Sequence, residues 1–281
     1  LAGFLACLPA LAQNRPLQTP DAQTVPAGTL RAEGGFDFLQ GINFPASGLT
    51  GDLTSVGTVE MRMGVGSIVE VELEGVIQNF LEVQKQVPSL IVPLHLTGAN
   101  STHDVGDFGL YTKIRLWAET AHRPAAAFRF GFIIPDTNQA RGIGLNTTNI
   151  FASFILQKHF GKLNTWATAG IGVLQAPGAT FSQNDLLTYG GAFNYPLLRR
   201  VNLAGEVYGR YNSRRIICTS VNCALIGTES RSQARLGVQI FAGGFQWDVA
   251  GIAGLTSRDP SSGVTLGVSR DVHLFSLGPK Q

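Results

Sequence analysis

The sequence predicts an all-β chain, a transmembrane antiparallel up-and-down β-barrel of about twelve strands. Three observations carry that expectation. Apolar and polar residues alternate with period two in many separate segments. The connections between those segments are short after even-numbered strands and mostly long after odd-numbered ones. Only 14% of the 281 residues are charged, and 44% are hydrophobic, yet no apolar run approaches the ~18 residues of a membrane helix.

The chain opens on an apolar stretch ending in Ala10-Leu11-Ala12. Small residues at these positions suit signal peptidase, so residues 1–12 read as residual signal peptide cleaved before Gln13. A lipoprotein reading at Cys7 is the competitor, disfavoured by the short apolar segment before it. Residues 13–28, rich in proline and without periodicity, read as a flexible periplasmic lead-in. The barrel itself is expected over 29–275, with 276–281 as a tail.

Strands are expected at 29–40, 56–65, 67–79, 106–118, 123–134, 148–160, 162–174, 186–196, 200–211, 230–242, 244–256 and 262–274. Each has one apolar and one polar face, because successive side chains on a strand point to opposite sides. In 69–77, Val69, Val71, Leu73 and Ile77 alternate with Glu70, Glu72 and Glu74. In 201–211, Val201, Leu203 and Val207 alternate with Asn202, Glu206 and Arg210. In 234–240, Leu236, Val238 and Ile240 alternate with Arg235 and Gln239. Aromatics near strand ends fit interfacial girdles: Phe160, Tyr195, Phe245 and Trp247 at the periplasmic side, Phe132 and Tyr211 at the outer side. An even strand count puts both termini in the periplasm, with the longer loops outside. A soluble sandwich would alternate equally well, but it has no reason to sort loop lengths by strand parity.

The polar face carries organised charge. Glu60, Arg62, Glu70, Glu72 and Glu74 fall in the second and third strands, Lys113, Arg115 and Arg129 in the fourth and fifth. Glu206, Arg210, Arg231 and Arg235 fall in the ninth and tenth. These residues mark a lumen and a candidate solute path. The acidic and basic walls would stand roughly opposite and set up a transverse field; the alternative is a salt-bridged lumen that closes a narrow barrel. Cys218 and Cys223 stand close together between strands and would pair in an oxidising compartment; two free thiols are the alternative.

Catalytic signatures are absent. The histidines at 95, 103, 122, 159 and 273 have no metal-ligand spacing, and no nucleophile elbow occurs. His159 and Ser153 share a parity but stand six residues apart, too far for a direct pair within one strand. No enzyme activity, cofactor or metal is expected. A net charge of +2 gives no case for nucleic acid. The expected partners are outer-membrane lipid, the barrel-assembly machinery during biogenesis, and a small-molecule solute.

The order Gly106-Asp107-Phe108-Gly109-Leu110-Tyr111-Thr112-Lys113-Ile114-Arg115, then Pro124 to Gly131, Ile134-Pro135-Asp136-Thr137, Gly142-Ile143-Gly144, Thr147-Thr148-Asn149 and Lys158-His159-Phe160-Gly161, resembles the outer-membrane family associated with the meta-pathway of phenol degradation. The resemblance covers residues 106–174. It implies an outer-membrane location and uptake of aromatic or other small hydrophobic compounds. The chain departs from the usual aromatic C-terminus of outer-membrane barrels, since Phe275 is followed by Ser276 to Gln281. The functional expectation is a channel for passive uptake of small solutes. A closed surface-binding barrel is the alternative, and a lipid hydrolase a more distant one. The longest connection, 80–105, holds the apolar run Leu90 to Leu96 and is expected to fold over or into the mouth.

Overall fold

The computed structural model describes residues 15–177, 183–214 and 226–276, with 217–218 and 223–224 as backbone. Its wall is a closed antiparallel barrel of twelve strands. These are β1 (Thr29–Phe44), β2 (Leu49–Gly64), β3 (Val69–Gln86), β5 (Phe108–Trp117), β6 (Ala125–Ile134) and β7 (Asn149–Phe160), followed by β8 (Leu163–Gln175), β9 (Gln183–Leu198), β10 (Val201–Tyr211), β13 (Arg231–Ala242), β14 (Phe245–Gly254) and β15 (Ser262–His273). Short β4 (Ser101–Asp104) pairs with the far end of β3. The two-residue strands β11 (Ile217–Cys218) and β12 (Cys223–Ala224) pair only with each other. Each wall strand pairs with its neighbours in the chain, and β1 closes on β15 in an unbroken register from Thr29 opposite His273 to Gln40 opposite Ser262. Closure leaves no edge, so every wall strand finds backbone partners on both sides, which lipid alone could not provide. Across the seam, Arg31 Nε lies 2.6 Å from the Asp271 carboxylate.

The alternation sorts as the sequence predicts. Leu236, Val207, Ile240, Val249 and Leu255 are exposed on the outside of the barrel. Phe160, Tyr195, Trp247, Phe132 and Tyr211 are exposed as well. Polar partners on the opposite parity, such as Glu70, Glu72, Arg235 and Gln239, are buried inside. The short-turn end uses the tightest connection the chain allows. Gly243 and Gly244 both have positive φ, 63° and 78°, the conformation a two-residue hairpin with native twist requires.

Three expectations are corrected, the first at strand ends. β1, β2 and β3 run well beyond the expected spans, so most of 41–55 is strand and only 45–48 is loop. The reason is Gly57, which bulges out of β2 with φ 68°. It shifts the inward parity from Thr58 and Arg62 to Ser55 and Leu53, which breaks the alternation that marks a single strand. Secondly, the expected flexible lead-in does not hang free: residues 15–26 enter the barrel. Thirdly, β4 adds a strand inside the long connection without altering the wall count.

The long-loop end is roofed. Leu90 N–H donates to Ala46 O and His95 N–H to Ala140 O, while Ser47 Oγ donates to Gly142 O at 2.6 Å. Ile91 and Leu145 pack on buried Ala46 and Ile226. These four residues come from four different loops spaced around the barrel, so they meet across its mouth. Ile91, Val92, Leu94 and Leu96 of the longest connection are thereby half-buried, while Leu90 stays exposed. The backbone places Cys218 opposite Cys223 in the β11–β12 ladder. Their side chains, and the expected bond between them, lie outside the described residues, as do residues 1–14 and 277–281.

Candidate functional site

The lumen is built from inward positions of all the wall strands and from residues 15–26. That segment runs around the short-turn half of the interior and forms no ladder. Its backbone groups are satisfied one by one by wall side chains. Gln18 and Thr19 donate their N–H groups to the Glu206 carboxylate of β10, each at 2.8 Å. Ala22 N–H donates to Gln157 Oε1 of β7 at 3.0 Å, and Val25 N–H to the Glu70 carboxylate of β3. In the other direction, Gln239 and Gln246 donate to Arg15 O, Arg235 to Pro16 O, and Trp166 Nε1 to Thr19 O. Pro16, Pro20 and Pro26 have no N–H to satisfy, which lowers the number of buried donors that need a partner.

Apolar contacts complete the fit. Leu17 packs with Trp166, Ala192 and Ala204, and Ala22 with Ala125, Ala127 and Ile155. Small wall residues at 125, 127, 192 and 204 leave room for the segment.

Ion pairs then tie the segment to the wall. Arg15 lies 3.6 Å from Asp248 and 3.7 Å from Asp37, and also donates to Thr58 Oγ1 at 2.9 Å. Lys113 Nζ lies 2.7 Å from Glu70, 3.4 Å from Asp21 and 3.5 Å from Glu72. Arg129 bridges Glu72 at 2.5 Å and Glu74 at 3.0 Å, with its guanidinium 3.7 Å over the Tyr111 ring. Arg62 pairs with Glu33 and Glu60. Arg235 lies 3.7 Å from Glu206 and donates to Tyr208 Oη.

The predicted lumen residues thus face inward, but not as two opposed walls. The acidic strip on β2 and β3 is matched locally by Arg62, Lys113 and Arg129, so the expected transverse field is largely cancelled. Arg115 sits at the short-turn rim and donates to Ser67 O at 2.7 Å. Glu33, Asp37 and Asp248 were not singled out from sequence, though their parity in β1 and β14 marks them. Arg15 and Asp21 lie in no strand and bear no such mark. His159 stands at the short-turn end, 45% exposed at its side chain, with Nδ1 2.6 Å from Glu119, while Ser153 faces the interior. Burial works to raise the Glu119 carboxyl, but hydrogen bonds from His159 and Lys158 outweigh it and hold the group down at about 2.

Between the inserted segment and the loop roof the lumen is hollow. Two adjoining cavities, of about 320 and about 510 Å³, share Glu74, Tyr111, Arg129 and Tyr208 in their walls and form one chamber. Its floor is Gln18 and Pro20 of the segment. Its long-loop end carries Arg210, Arg231 and Asp259. Among the described residues, no cluster of metal-ligating side chains occurs.

A closed strand wall with an apolar outside and a polar, charged inside defines an integral outer-membrane β-barrel. Comparison with known proteins agrees at the level of fold. The crystal structure of the COG4313 outer membrane channel from Pseudomonas putida F1 is similar with a TM-score of 0.66, covering 91% of this chain and 100% of that one at 13% sequence identity. The NanC porin (TM-score 0.44, 9% identity, 88% and 100% covered) and the translocator domain of the autotransporter NalP from Neisseria meningitidis (0.45, 11%, 86% and 87%) are more distant. No protein-family model matches the chain, and no curated protein matches it in sequence. The resemblance to the phenol meta-pathway family therefore gains no support beyond membership among outer-membrane barrels.

Proposed function

We propose that this barrel is a channel for passive movement of small solutes across the outer membrane, with the inserted segment as its internal gate. The short-turn end and both chain ends face the periplasm in this reading. The observation that carries it is the chamber: a hollow lined by charge and hydroxyl groups, inside a wall whose outside is apolar. A barrel built only as a scaffold could fill that volume with side chains. The segment is held by discrete polar contacts and a few small apolar ones, not by a ladder. It can therefore leave the lumen without unzipping any strand. The aromatic and hydrophobic solutes implied by the family resemblance fit a chamber whose wall includes Tyr111, Phe151 and Ile133. The protein acts as a conduit and performs no chemistry on what passes.

Planar-bilayer recording tests this. The full chain should show low or flickering conductance, and a variant lacking residues 15–26 should show a larger, steadier one. A silent barrel in both forms would favour the second reading, a closed barrel that binds partners through its loops. That reading draws on the loop roof, which shuts the mouth at the opposite end.

A further inference from the structure

Toward the long-loop end, the inward faces of β10 and β13 meet in three directly opposed pairs, those of Glu206, Tyr208 and Arg210. Glu206 faces Arg235 and Tyr208 faces Gln233, an ion pair and a hydrogen bond. The third pair is Arg210 opposite Arg231, two like charges in direct register. Opposed like charges on one sheet face are destabilising, so this pair needs compensation that the other two do not.

The compensation present is neutral. Arg210 donates to the carbonyls of Glu229 at 2.9 Å and Gly227 at 3.1 Å. Arg231 donates to the carbonyls of Arg258 and Asn43, each at 2.8 Å. Among the described residues, no carboxylate forms an ion pair with either guanidinium. The two acids nearby, Asp259 and Glu229, keep their charge but stand beyond ion-pair distance of both guanidinium groups. Asp259 accepts from Ser232 N–H and Thr256 Oγ1, and Glu229 accepts from Gly227 N–H. Elsewhere in the lumen, Arg62, Lys113, Arg129 and Arg235 all have carboxylate partners within ion-pair distance.

Both arginines line the 510 Å³ part of the chamber, which also presents Phe151, Tyr208 and Ile133, together with hydroxyls at Ser153, Thr168 and Thr188. Carbonyls anchor the two side chains, and the carboxylates of Glu229 and Asp259 act on them only from beyond ion-pair distance. Planar guanidinium groups fixed in this way suit a carboxylate, which each can meet through paired donors.

We infer that Arg210 and Arg231 form an anion-recognition site at the long-loop end of the chamber, and that its ligand class is a small monocarboxylate with an aromatic or apolar body. The carboxylate lies between the two guanidinium groups, and the body rests on Phe151 and Tyr208. This rests on reading the lumen as a solute path, and it adds a charge preference to that reading.

Isothermal titration of the full-length barrel in detergent separates the two claims. Benzoate, benzyl alcohol and benzylammonium share a shape and differ in charge. Benzoate should bind on the order of tenfold more tightly than benzyl alcohol, and benzylammonium most weakly. Arg210→Gln and Arg231→Gln should each remove that advantage while leaving benzyl alcohol binding unchanged, with Arg231→Lys keeping part of it. Heat-modifiable gel migration confirms that each variant is a folded barrel. Equal binding of benzoate and benzyl alcohol by the native protein would overturn the site, as would variants that keep the advantage. Liposome swelling with the same solutes reports on transport. Benzoate binding without swelling would leave the site standing and remove the channel, whereas swelling indifferent to charge would do the reverse.

Discussion

The carboxylate of Asp21 lies 3.4 Å from the ammonium of Lys113, and neither side chain is more than 2% exposed. One residue belongs to the inserted segment and the other to the barrel wall. Lys113 also serves Glu70 and Glu72, so a single cation holds three carboxylates. Removing it should cost far more than removing any one acid, because Asp21 and Glu70 would remain buried without an ion-pair partner, while Glu72 would keep Arg129. Lys113→Met is expected to destabilise the barrel by about 3–5 kcal/mol in reversible unfolding in lipid. Asp21→Asn should be much milder and should instead loosen the segment, raising single-channel conductance. Equal stability losses in the two variants would contradict the shared role.

Glu206 accepts from two consecutive backbone N–H groups, those of Gln18 and Thr19, and faces Arg235. Glu206→Ala leaves both donors unmatched inside the lumen, at about 1–3 kcal/mol each where water cannot reach them. The expected result is faster amide exchange across residues 15–26, with exchange in the wall strands unchanged. Protection that persists in the segment would show that other contacts hold it.

The lipid-facing parity can be tested with arginine. Leu236 is 59% exposed on the outside of β13, and Val238 shares its parity. Val238→Arg should cost about 2–4 kcal/mol near mid-membrane. Gln239 is the neighbouring lumen position, yet it is a poor control, because it donates to Arg15 O and accepts from Asn194. Thr168→Arg, on the chamber wall, should be well tolerated, and a loss matching that of Val238→Arg would reverse the assigned faces.

At the short-turn end, Glu119 has its pKa lowered from 4.5 to about 2 by the contacts with His159 and Lys158. A carboxyl lowered on folding lends stability above its ordinary pKa and loses it as the pH falls through the folded value. Turn 118–124 should therefore hold its protection above pH 4.5 and lose it progressively toward pH 2. Glu119→Gln should remove this dependence. Hydrogen exchange at His159 N–H, which donates to Glu119, reads it directly.

The roof gives a separate handle. Ile91 packs on Ala46 and Ile226 from other loops. Ile91→Asp should part these loops and raise conductance further in a channel already lacking residues 15–26. An unchanged current in that background would show that the roof is not a barrier. The Cys218–Cys223 bond expected from sequence is checked by mass spectrometry without reductant.

Alternation by itself determined the wall. Side chains on a strand have only two directions, so Glu70, Glu72 and Glu74 had to share one face and Val69, Val71 and Leu73 the other. Loop lengths sorted by parity and the scarcity of charge then placed the apolar face toward lipid. Alternation failed where the chain leaves the period, at Gly57, whose positive φ moves one residue out of the count and hid the first half of β2. It was also silent on residues 15–26. A segment without a ladder has no period, and its prolines and polar residues read equally well as a free lead-in. What seats it in the lumen is a set of partners scattered from Glu33 to Leu266, which no local pattern connects. The same holds for Arg210 and Arg231. Each strand declared its arginine inward, but only the register of β10 on β13 set the two in opposition, and only the folded loops decided that carbonyls, not carboxylates, would meet them.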